Sequence, residues 1–297
     1  MTLPNFLIIG AAKSGTTALY HYLRQHPEVY MCPQKETNFF AYGEQKIRFA
    51  GPRDANDNDF IITTLESYRD QFKAASNETA VGEASPWYLY STNAAANIQR
   101  RLPDAKLIAV LRNPVDRAFS SYLHVYKDGR ESLSFEEGLL AEEDRIARGW
   151  EPVWHYRRAG LYAEQVARFL DLFSRHQIRF YLYDDFLENP GGILRDIYQF
   201  LEVDLDFVAD TSVRPNASGV AKNQLLGRLL LRPNRLKGMV KPLMPPWLRY
   251  ELSQRLNQRL LEKPPLSEET SIWLMSSFKN DILALEDLIG RDLSRWL

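Results

Sequence analysis

The sequence has few of the residues that build covalent or metal-based frameworks. Among its 297 residues there is a single cysteine, Cys32, and there are five histidines. One cysteine excludes an internal disulfide bond and any metal site made of several thiolates. No apolar run approaches the roughly 20 residues that a membrane-spanning helix needs. The composition therefore favours neither a disulfide-rich nor a membrane-spanning protein.

The sequence also lacks an excess of charge of either sign. It has 37 Lys and Arg residues against 38 Asp and Glu residues, which gives a formal net charge of −1. Without a strong overall field we expect no nucleic-acid partner, and any polyanion must bind a local basic cleft. Residues 1–10 carry no basic leader and a short apolar run, which indicates a buried strand rather than a signal peptide. We expect a soluble, cytoplasmic protein, with a lumenal domain separated from its anchor as the alternative.

Hydrophobic residues make up 45% of the chain, enough for a sizeable core. Short β-branched runs alternate with helical patterns, which is typical of a parallel sheet covered by helices. The run at 106–111 is apolar on both faces, as expected of a central parallel strand. Because we find no internal repeat, we expect one domain over residues 1–297. The predicted strands are 6–9, 80–82, 106–111 and 178–183, and the main predicted helices are 16–25, 114–126, 135–148, 162–173, 192–201 and 267–289.

The first predicted strand runs into a turn, residues 10–17, that is crowded with hydrogen-bond donors. Gly10 and Gly15 supply the turn, and Lys13 adds a formal positive charge. A turn between a strand and a helix N-terminus aims backbone N–H groups at an anion. An ordinary glycine turn is the alternative, but the concentration of donors favours an anion site. Its donors are Lys13, Ser14, Gly15, Thr16 and Thr17.

This turn departs from the loop that binds nucleoside triphosphates. Gly10 and Gly15 have the spacing of G-x-x-x-x-G-K-[ST], but Thr16 stands where that motif has its lysine. The lysine lies inside the loop instead, at Lys13. The central strand ends in Arg112, where an ATPase would place a carboxylate for Mg²⁺. The sequence therefore predicts a phosphate-like ligand held without the metal apparatus of a triphosphate enzyme.

Arg112 is also a candidate for a second anion site. The C-terminal ends of parallel strands open on a common crevice, so Arg112 should lie near the glycine turn. Ser120 follows two turns into the next predicted helix. An arginine and a serine hydroxyl together suit a second, separate phosphate. By itself this pair leaves a purely structural role open, because an arginine after a strand is common.

These two motifs carry a resemblance to a known family. Residues 10–19 resemble the 5′-phosphosulfate loop of sulfotransferases that use 3′-phosphoadenosine 5′-phosphosulfate (PAPS), and residues 112–120 resemble their 3′-phosphate motif. The stretches 158–165, 183–187 and 290–296 are also similar to this family. The resemblance is closest to bacterial members and to the sulfotransferase domains of heparan-modifying enzymes. It implies a P-loop-type three-layer α/β fold, with a mostly parallel sheet flanked by helices, in a single sulfotransferase domain.

The resemblance implies roles for individual residues. Lys13 contacts the 5′-phosphosulfate and its bridging oxygen, and Ser14 to Thr17 complete the cradle. Arg112 and Ser120 hold the 3′-phosphate. A late segment resembles the one that closes over the nucleotide in this family, and its candidate contacts are Ser218, Gly219 and Lys222. PAPS is then the donor and its desulfated form, PAP, the product, with no metal required.

Transfer to an acceptor calls for a general base near the sulfur. The resemblance points to Glu36, because residues 34–40 are similar to the family segment in which a glutamate followed by two aromatic residues supplies the base. Phe39 and Phe40 are expected to form apolar walls that raise the pKa of Glu36. The alternative is an exposed loop glutamate beside Lys35.

His124 is the rival base. It lies one turn beyond Ser120 on the same helix face, and histidine titrates near neutral pH. A contact to the acceptor is its alternative role. We expect the other four histidines to be surface or packing residues: His21, His26, His155 and His176.

The acceptor is the open half of the prediction. In heparan-modifying relatives a lysine follows the glutamate after the second strand, whereas Ala84 follows Glu83 here. This departure weakens the case for a heparin-like acceptor, although Ser85 and Tyr88 remain candidates to line the cleft. The aromatic stretch 149–156 predicts either an acceptor wall or core anchors.

We expect transfer to a hydroxyl or amine of a glycan or small molecule, with a carbohydrate preferred. The first alternative keeps the donor and takes a lipid or a carrier-bound acyl chain as acceptor. The second belongs to another class, namely an ATP-using divergent P-loop kinase or nucleotide-binding module. The sequence makes no prediction of oligomeric state.

Overall fold

A five-stranded parallel sheet forms the centre of the molecule. The computed structural model describes residues 3–58, 60–212, 220–221, 261–262 and 264–297. The strand order is β2-β3-β1-β4-β5, and every neighbouring pair is parallel. The predicted α/β fold with a mostly parallel sheet is confirmed. The strands are β1 (Phe6–Gly10), β2 (Val29–Met31), β3 (Ala80–Ala84), β4 (Lys106–Leu111) and β5 (Ile178–Leu182).

Helices cover both faces of the sheet. None of them, in the part of the chain that the structure describes, is long and apolar enough to cross a membrane. A short antiparallel pair, β6 (Val220–Ala221) and β7 (Leu261–Glu262), lies outside the main sheet. The described helices are α1 (Thr16–Leu23), α2 (Phe39–Tyr42), α3 (Ala55–Asn58), α4 (Leu65–Asp70), α5 (Ala94–Arg101), α6 (Pro114–Lys127), α7 (Phe135–Leu140), α8 (Glu142–Ala147), α9 (Tyr162–Leu170), α10 (Tyr183–Glu188), α11 (Pro190–Leu201) and α12 (Glu268–Ile289).

The alternation of side chains along β1 shows how the three layers form. Leu7 and Ile9 point into the core shared with α6, α9 and α12, whereas Phe6 and Ile8 point into the core shared with α1 and α11. All four side chains are completely buried. Successive residues of a strand face opposite sides, so a strand covered on both faces must be apolar throughout. This explains why β1 and β4 are the most apolar runs of the sequence.

The start of α6 fixes the chain directly after β4. The side chain of Asn113 accepts hydrogen bonds from the backbone N–H of Val115, at 2.9 Å, and of Asp116, at 3.4 Å. Pro114 occupies the first helical turn, where its missing N–H costs nothing. The chain therefore passes from β4 into α6 through Arg112 and Asn113 alone, and Arg112 stands at the C-terminal edge of the sheet.

Candidate active site

The two predicted anion sites lie next to each other. The glycine turn follows β1 and Arg112 follows β4, and these two strands are neighbours in the sheet. Nη1 of Arg112 donates a hydrogen bond to the carbonyl oxygen of Lys13, at 3.1 Å. The backbone N–H of Ala11 donates to the carbonyl oxygen of Val110, at 2.8 Å, and ties the loop to β4. The structure thus joins the two motifs through main-chain and guanidinium contacts.

The loop has a backbone conformation that glycine favours. Gly15 has a φ of 85° and Lys13 a φ of 70°, both in the left-handed region. A Cβ added at Gly15 would lie 2.8 Å from Cε2 of Tyr183, closer than van der Waals contact allows. Glycine is therefore required at this position both by its backbone conformation and by the packed tyrosine ring.

Ser14 carries a buried hydroxyl that points to a ligand. It is completely buried, and its Oγ has no hydrogen-bond partner with good geometry among the described residues. The nearby hydroxyl of Tyr162 donates to the carbonyl oxygen of Arg112, at 3.1 Å, and its oxygen stays able to accept from Ser14. A buried polar group without a well-aligned partner is costly. An anion in the loop would offer the Ser14 hydroxyl a better aligned acceptor.

Two further donors extend the loop into α1. Thr16 is buried and Thr17 is half-buried in the first turn of this helix. The residue before them, Gly15, offers no side chain to cap the helix. The N–H groups of the first turn of α1 therefore have no side-chain cap. Helix N-termini that bind anions commonly have this arrangement.

Lys13 lies in an environment that disfavours its charge. Burial lowers its pKa to about 8, and the neighbouring positive charge of Lys127 adds to this effect, while Glu36 and Asp128 oppose it. None of the carboxylates in the described ranges forms an ion pair with Lys13. An anionic ligand would favour the charged form, so binding and protonation at this lysine are coupled.

Arg112 also packs against an aromatic ring. Its guanidinium lies 4.7 Å from the centroid of the Tyr183 ring, and 12% of its side chain is exposed. The Asp116 carboxylate is 3.9 Å away, at the limit of an ion pair. Ser120 is buried two turns along α6, on the helix that Arg112 precedes. Of the two residues predicted to bind a second phosphate, Ser120 therefore lies within α6 and Arg112 lies just before its start.

Glu36 lies between β2 and α2, beside the end of β3. Its backbone N–H donates to the carbonyl oxygen of Ala84, at 2.9 Å, and its φ is 66°. The carboxylate contacts the ammonium group of Lys35, and 37% of the side chain is exposed. Its negative charge acts to raise the pKa of Lys13, against the larger effect of burial, which lowers it. The predicted base and the predicted cradle lysine therefore interact electrostatically.

The two rings that we expected to wall Glu36 pack elsewhere. Phe39 stacks on Tyr68 with ring centroids 4.5 Å apart, and Phe40 packs edge-on against Tyr68 and Tyr88. Both phenylalanines are almost completely buried. The contact that the structure gives the Glu36 carboxylate is the cation of Lys35 rather than an apolar wall.

His124 faces the loop from α6. The positive charge of Lys13 is the largest cause that holds the pKa of His124 well below its usual range, followed by burial. Asp128 lies 3.9 Å from its Nε2. The imidazole is therefore neutral at neutral pH, and a base with so low a pKa accepts a proton poorly. This environment suits hydrogen bonding to an acceptor better than proton abstraction.

The structure gives packing roles to His26, His155 and Trp154. His26 is buried and contacts the carbonyl oxygen of Asp204, at 2.9 Å. Burial lowers the pKa of His155 to about 4, and the ring contacts the hydroxyl of Tyr90. Trp154 is completely buried and donates its Nε1–H to Asp54, at 2.9 Å, which makes it a core anchor. The stretch 149–156 is at least in this part core and not an acceptor wall.

A buried carboxylate cluster was not predicted from the sequence. Glu83 is completely buried and accepts hydrogen bonds from the hydroxyls of Thr37, Tyr68, Ser85 and Tyr88. Ser85 and Tyr88 are themselves completely buried, so the prediction that they line the acceptor cleft is wrong. A carboxylate in a strand buried on both faces, close to a serine and a tyrosine, was the available signal.

Some predicted residues cannot be assigned to this site. Ser218, Gly219 and Lys222 lie outside the described residues. Within the described ranges, no cluster of three or more His, Cys, Asp or Glu side chains is arranged to hold a metal ion.

The fold is that of a P-loop-type α/β protein, in which the two predicted anion sites adjoin each other. A family model described as "Sulfotransferase family" matches residues 4–207. The chain belongs to the sulfotransferase family, and the predicted family and enzyme class are confirmed.

Relatives of known name agree with this assignment. The crystal structure of a sulfotransferase from Alicyclobacillus acidocaldarius is similar with a TM-score of 0.80 and 38% identity, over 100% of this chain and 99% of that chain. The mouse heparan sulfate glucosamine 3-O-sulfotransferase 3B1 is 31% identical over 199 residues, which cover 67% of this chain and 46% of the mouse protein. The membrane-associated sulfotransferase kil1 of Dictyostelium discoideum is 34% identical over 155 residues, 49% of this chain and 29% of that protein. The chain spans less than half the length of these two curated relatives.

Proposed function

We propose that this protein transfers the sulfuryl group of PAPS to a hydroxyl group, with a carbohydrate as the preferred acceptor. The observation that carries the proposal is the direct contact between Arg112 and the Lys13 carbonyl, because it joins two anion sites at one edge of the sheet. A donor with a 5′-phosphosulfate and a separate 3′-phosphate needs two such sites side by side.

The described residues suit both ends of this donor. The uncapped start of α1, Lys13 and the Ser14 hydroxyl offer donors and positive charge to the 5′-phosphosulfate. Thr16 and Thr17 extend that set into the helix. The planar guanidinium of Arg112 suits bidentate contacts to a phosphate, and Ser120 would add a hydroxyl.

The proposed reaction is an in-line displacement at sulfur. The acceptor oxygen forms a bond to sulfur while the bond between sulfur and the 5′-phosphate oxygen breaks, and PAP leaves. Glu36 takes the proton that the acceptor hydroxyl loses. Lys13 and the loop N–H groups stabilise the negative charge that develops on the leaving oxygen.

The carbohydrate acceptor is proposed from the mouse relative, whose name is heparan sulfate glucosamine 3-O-sulfotransferase 3B1. The chain lacks a lysine after Glu83, and Ala84 is completely buried there. Lys35 and Lys127 lie close to the cleft and supply cations from other elements. A turnover assay with PAPS against glycans, phenols, lipids and carrier-bound acyl chains tests the acceptor, and turnover confined to acyl or lipid acceptors would contradict a carbohydrate.

The rival class, an ATP-using kinase or nucleotide-binding module, is separated by a thermal shift assay. PAP should stabilise the protein in the presence of EDTA, because the proposed contacts need no metal. ATP should give a much smaller shift, with or without Mg²⁺, because Arg112 stands where a metal-binding carboxylate is required. Stabilisation by ATP with Mg²⁺ alone would exclude PAPS as the donor.

A further inference from the structure

Glu83 lies at the centre of a buried hydrogen-bond network at the end of β3. Its Oε1 accepts from the hydroxyls of Tyr68, at 2.9 Å, and Tyr88, at 2.7 Å. Its Oε2 accepts from the hydroxyls of Thr37, at 2.6 Å, and Ser85, at 3.0 Å. The carboxylate is completely buried, so it cannot touch an acceptor in the cleft.

The same hydroxyls hold the backbone that follows Glu36. The N–H of Asn38 donates to Ser85 Oγ at 3.0 Å, and the N–H of Phe39 donates to Thr37 Oγ1 at 3.4 Å. The N–H of Phe40 donates to the hydroxyl of Tyr88 at 3.3 Å. Three consecutive N–H groups thus end on three hydroxyls that all donate to one carboxylate.

This stretch of backbone needs support from outside. Glu36 has a φ of 66° and Asn38 a φ of 52°, in the left-handed region that residues other than glycine rarely adopt. Such a conformation persists only where the surrounding contacts fix it. Besides the three N–H groups, the structure provides the bond from the Glu36 N–H to the Ala84 carbonyl, one residue after Glu83.

Burial raises the pKa of Glu83, and the four hydroxyls oppose this rise by donating hydrogen bonds to its carboxylate. An ionised carboxylate is an acceptor only, so each hydroxyl must give it a proton and turn its lone pairs outwards. Those lone pairs then accept the backbone N–H groups. Burial raises the pKa of Tyr68 and of Tyr88 well above the usual range, so both keep the proton that they donate. An amide in place of the carboxylate would bring donors of its own and reverse at least one hydroxyl.

We propose that Glu83 is a positioning residue that holds the Glu36 carboxylate in place through the hydroxyls of Thr37, Ser85 and Tyr88. The proposal rests on the proposed function, in which Glu36 is the general base. It makes the effect of Glu83 on turnover depend on Glu36.

A double-mutant cycle tests this dependence. We expect Glu83→Gln to lower kcat about tenfold to a hundredfold, because displacements of a reacting group by about 1 Å have effects of this size. The affinity for PAP and the KM for PAPS should stay within about twofold, since the cradle lies on β1 and α1. In a Glu36→Gln background, measured by single turnover at high enzyme concentration, Glu83→Gln should cause no further loss. Equal losses in both backgrounds would mean that Glu83 only supports the fold, and would overturn the proposal.

Two tyrosines provide a matched pair of milder variants. Tyr68 and Tyr88 are both completely buried and donate to the same carboxylate oxygen. The Tyr88 hydroxyl also accepts a backbone N–H of the segment, whereas the Tyr68 hydroxyl accepts none from the described residues. Tyr88→Phe should therefore lower kcat several-fold more than Tyr68→Phe. The melting temperatures of both variants are measured as the control for a difference in stability. Equal kcat values for the pair would contradict the proposal even if Glu83→Gln fails to fold.

Failure of the proposed function gives a different result. If Glu36→Gln alone keeps the wild-type kcat, Glu36 is not the base, whatever Glu83→Gln does. If PAP does not bind, the donor is wrong, and the role proposed for Glu83 is overturned together with the proposed function. If both controls behave as expected, additivity in the cycle counts against the role of Glu83 alone.

Discussion

The proposed donor side and the proposed acceptor side of this site are built in different ways. The donor side consists of the loop after β1 and Arg112 after β4, which neighbouring parallel strands bring together. The acceptor side consists of Glu36 on an irregular segment and His124 on α6, and buried side chains fix the segment. The donor side is thus fixed mainly by the backbone of the sheet, whereas the acceptor side depends on a network of hydroxyls. Substitutions should therefore separate the two sides by whether they change donor affinity or turnover.

The largest separation should come from Glu36→Gln. Loss of a general base lowers turnover by about 10²- to 10⁴-fold, and kcat should fall by this amount. Affinity for PAP should remain near that of the wild type, because Glu36 is not part of the cradle. Isothermal titration with PAP and a PAPS turnover assay measure the two quantities.

A nearby glutamate serves as the matched control for this variant. Glu44 also has a positive φ, of 64°, and pairs with Arg101 at 2.7 Å. Glu44→Gln should leave kcat unchanged. Loss of PAP binding in Glu36→Gln would show that the side chain supports the donor side, and the distinction between the two sides would not hold there.

A smaller effect, on the opposite side, is expected from Arg112→Ala. The wild type should prefer PAP to adenosine 5′-phosphate, and the variant should lose this preference by about a hundredfold, since charge-assisted hydrogen bonds contribute about 1.5–3 kcal/mol each. Competition binding with the two nucleotides measures it. Arg179 on β5 is the control, because it also stacks on a ring, that of Phe200 at 4.5 Å. Arg179→Ala should keep the preference, and an unchanged preference in Arg112→Ala would refute the second anion site.

The smallest expected effect is a pH dependence at Lys13. Its pKa is lowered to about 8, so the free protein loses this charge as the pH rises through 8. PAP affinity should be constant at lower pH and fall by up to about tenfold per pH unit above that value. Because Lys127 contributes to the lowered pKa, Lys127→Met should move the break in the affinity profile to higher pH. A profile without a break, or a break that Lys127→Met leaves in place, would mean that Lys13 does not couple to the ligand.

The same pKa shift has a consequence for stability. The folded-state pKa of Lys13 is lowered below its value in the unfolded chain, so between the two pKa values the unfolded state binds more protons. The contribution of Lys13 to the free energy of unfolding therefore rises as the pH rises through 8 and becomes constant above the unfolded-state value. The affinity for PAP should therefore begin to fall at the same pH, about 8, at which the contribution of Lys13 to the free energy of unfolding begins to rise.

The sequence predicted best those elements around the proposed site that depend on local interactions. The strand β4 matches its predicted bounds of 106–111, and α6 differs from its prediction by one residue, because local pattern and capping determine both. The strand β2 was missed because three residues carry no periodic signal. The predicted helix at 135–148 is two helices that meet at Ala141.

The hydroxyl network could not be predicted from local sequence patterns. It joins residues from the Glu36 segment, α4 and the end of β3, up to 51 positions apart along the chain. Nothing in any one of these segments indicates that their hydroxyls share a carboxylate. The packing of Phe39 and Phe40 was missed for the same reason, since Tyr68 and Tyr88 come from those segments. The roles of Ser218, Gly219 and Lys222, and a single domain over 1–297, stay predictions.

The stack of Arg112 on Tyr183 has a consequence for nucleotide affinity. A guanidinium already ordered by a ring loses little conformational freedom when a ligand arrives, which favours tight capture. With PAPS as the donor, the 3′-phosphate is unchanged by the reaction, so PAP keeps every contact that Arg112 made. Such contacts would bind the proposed donor and its product equally, so they contribute to nucleotide affinity and not to the rate of sulfuryl transfer.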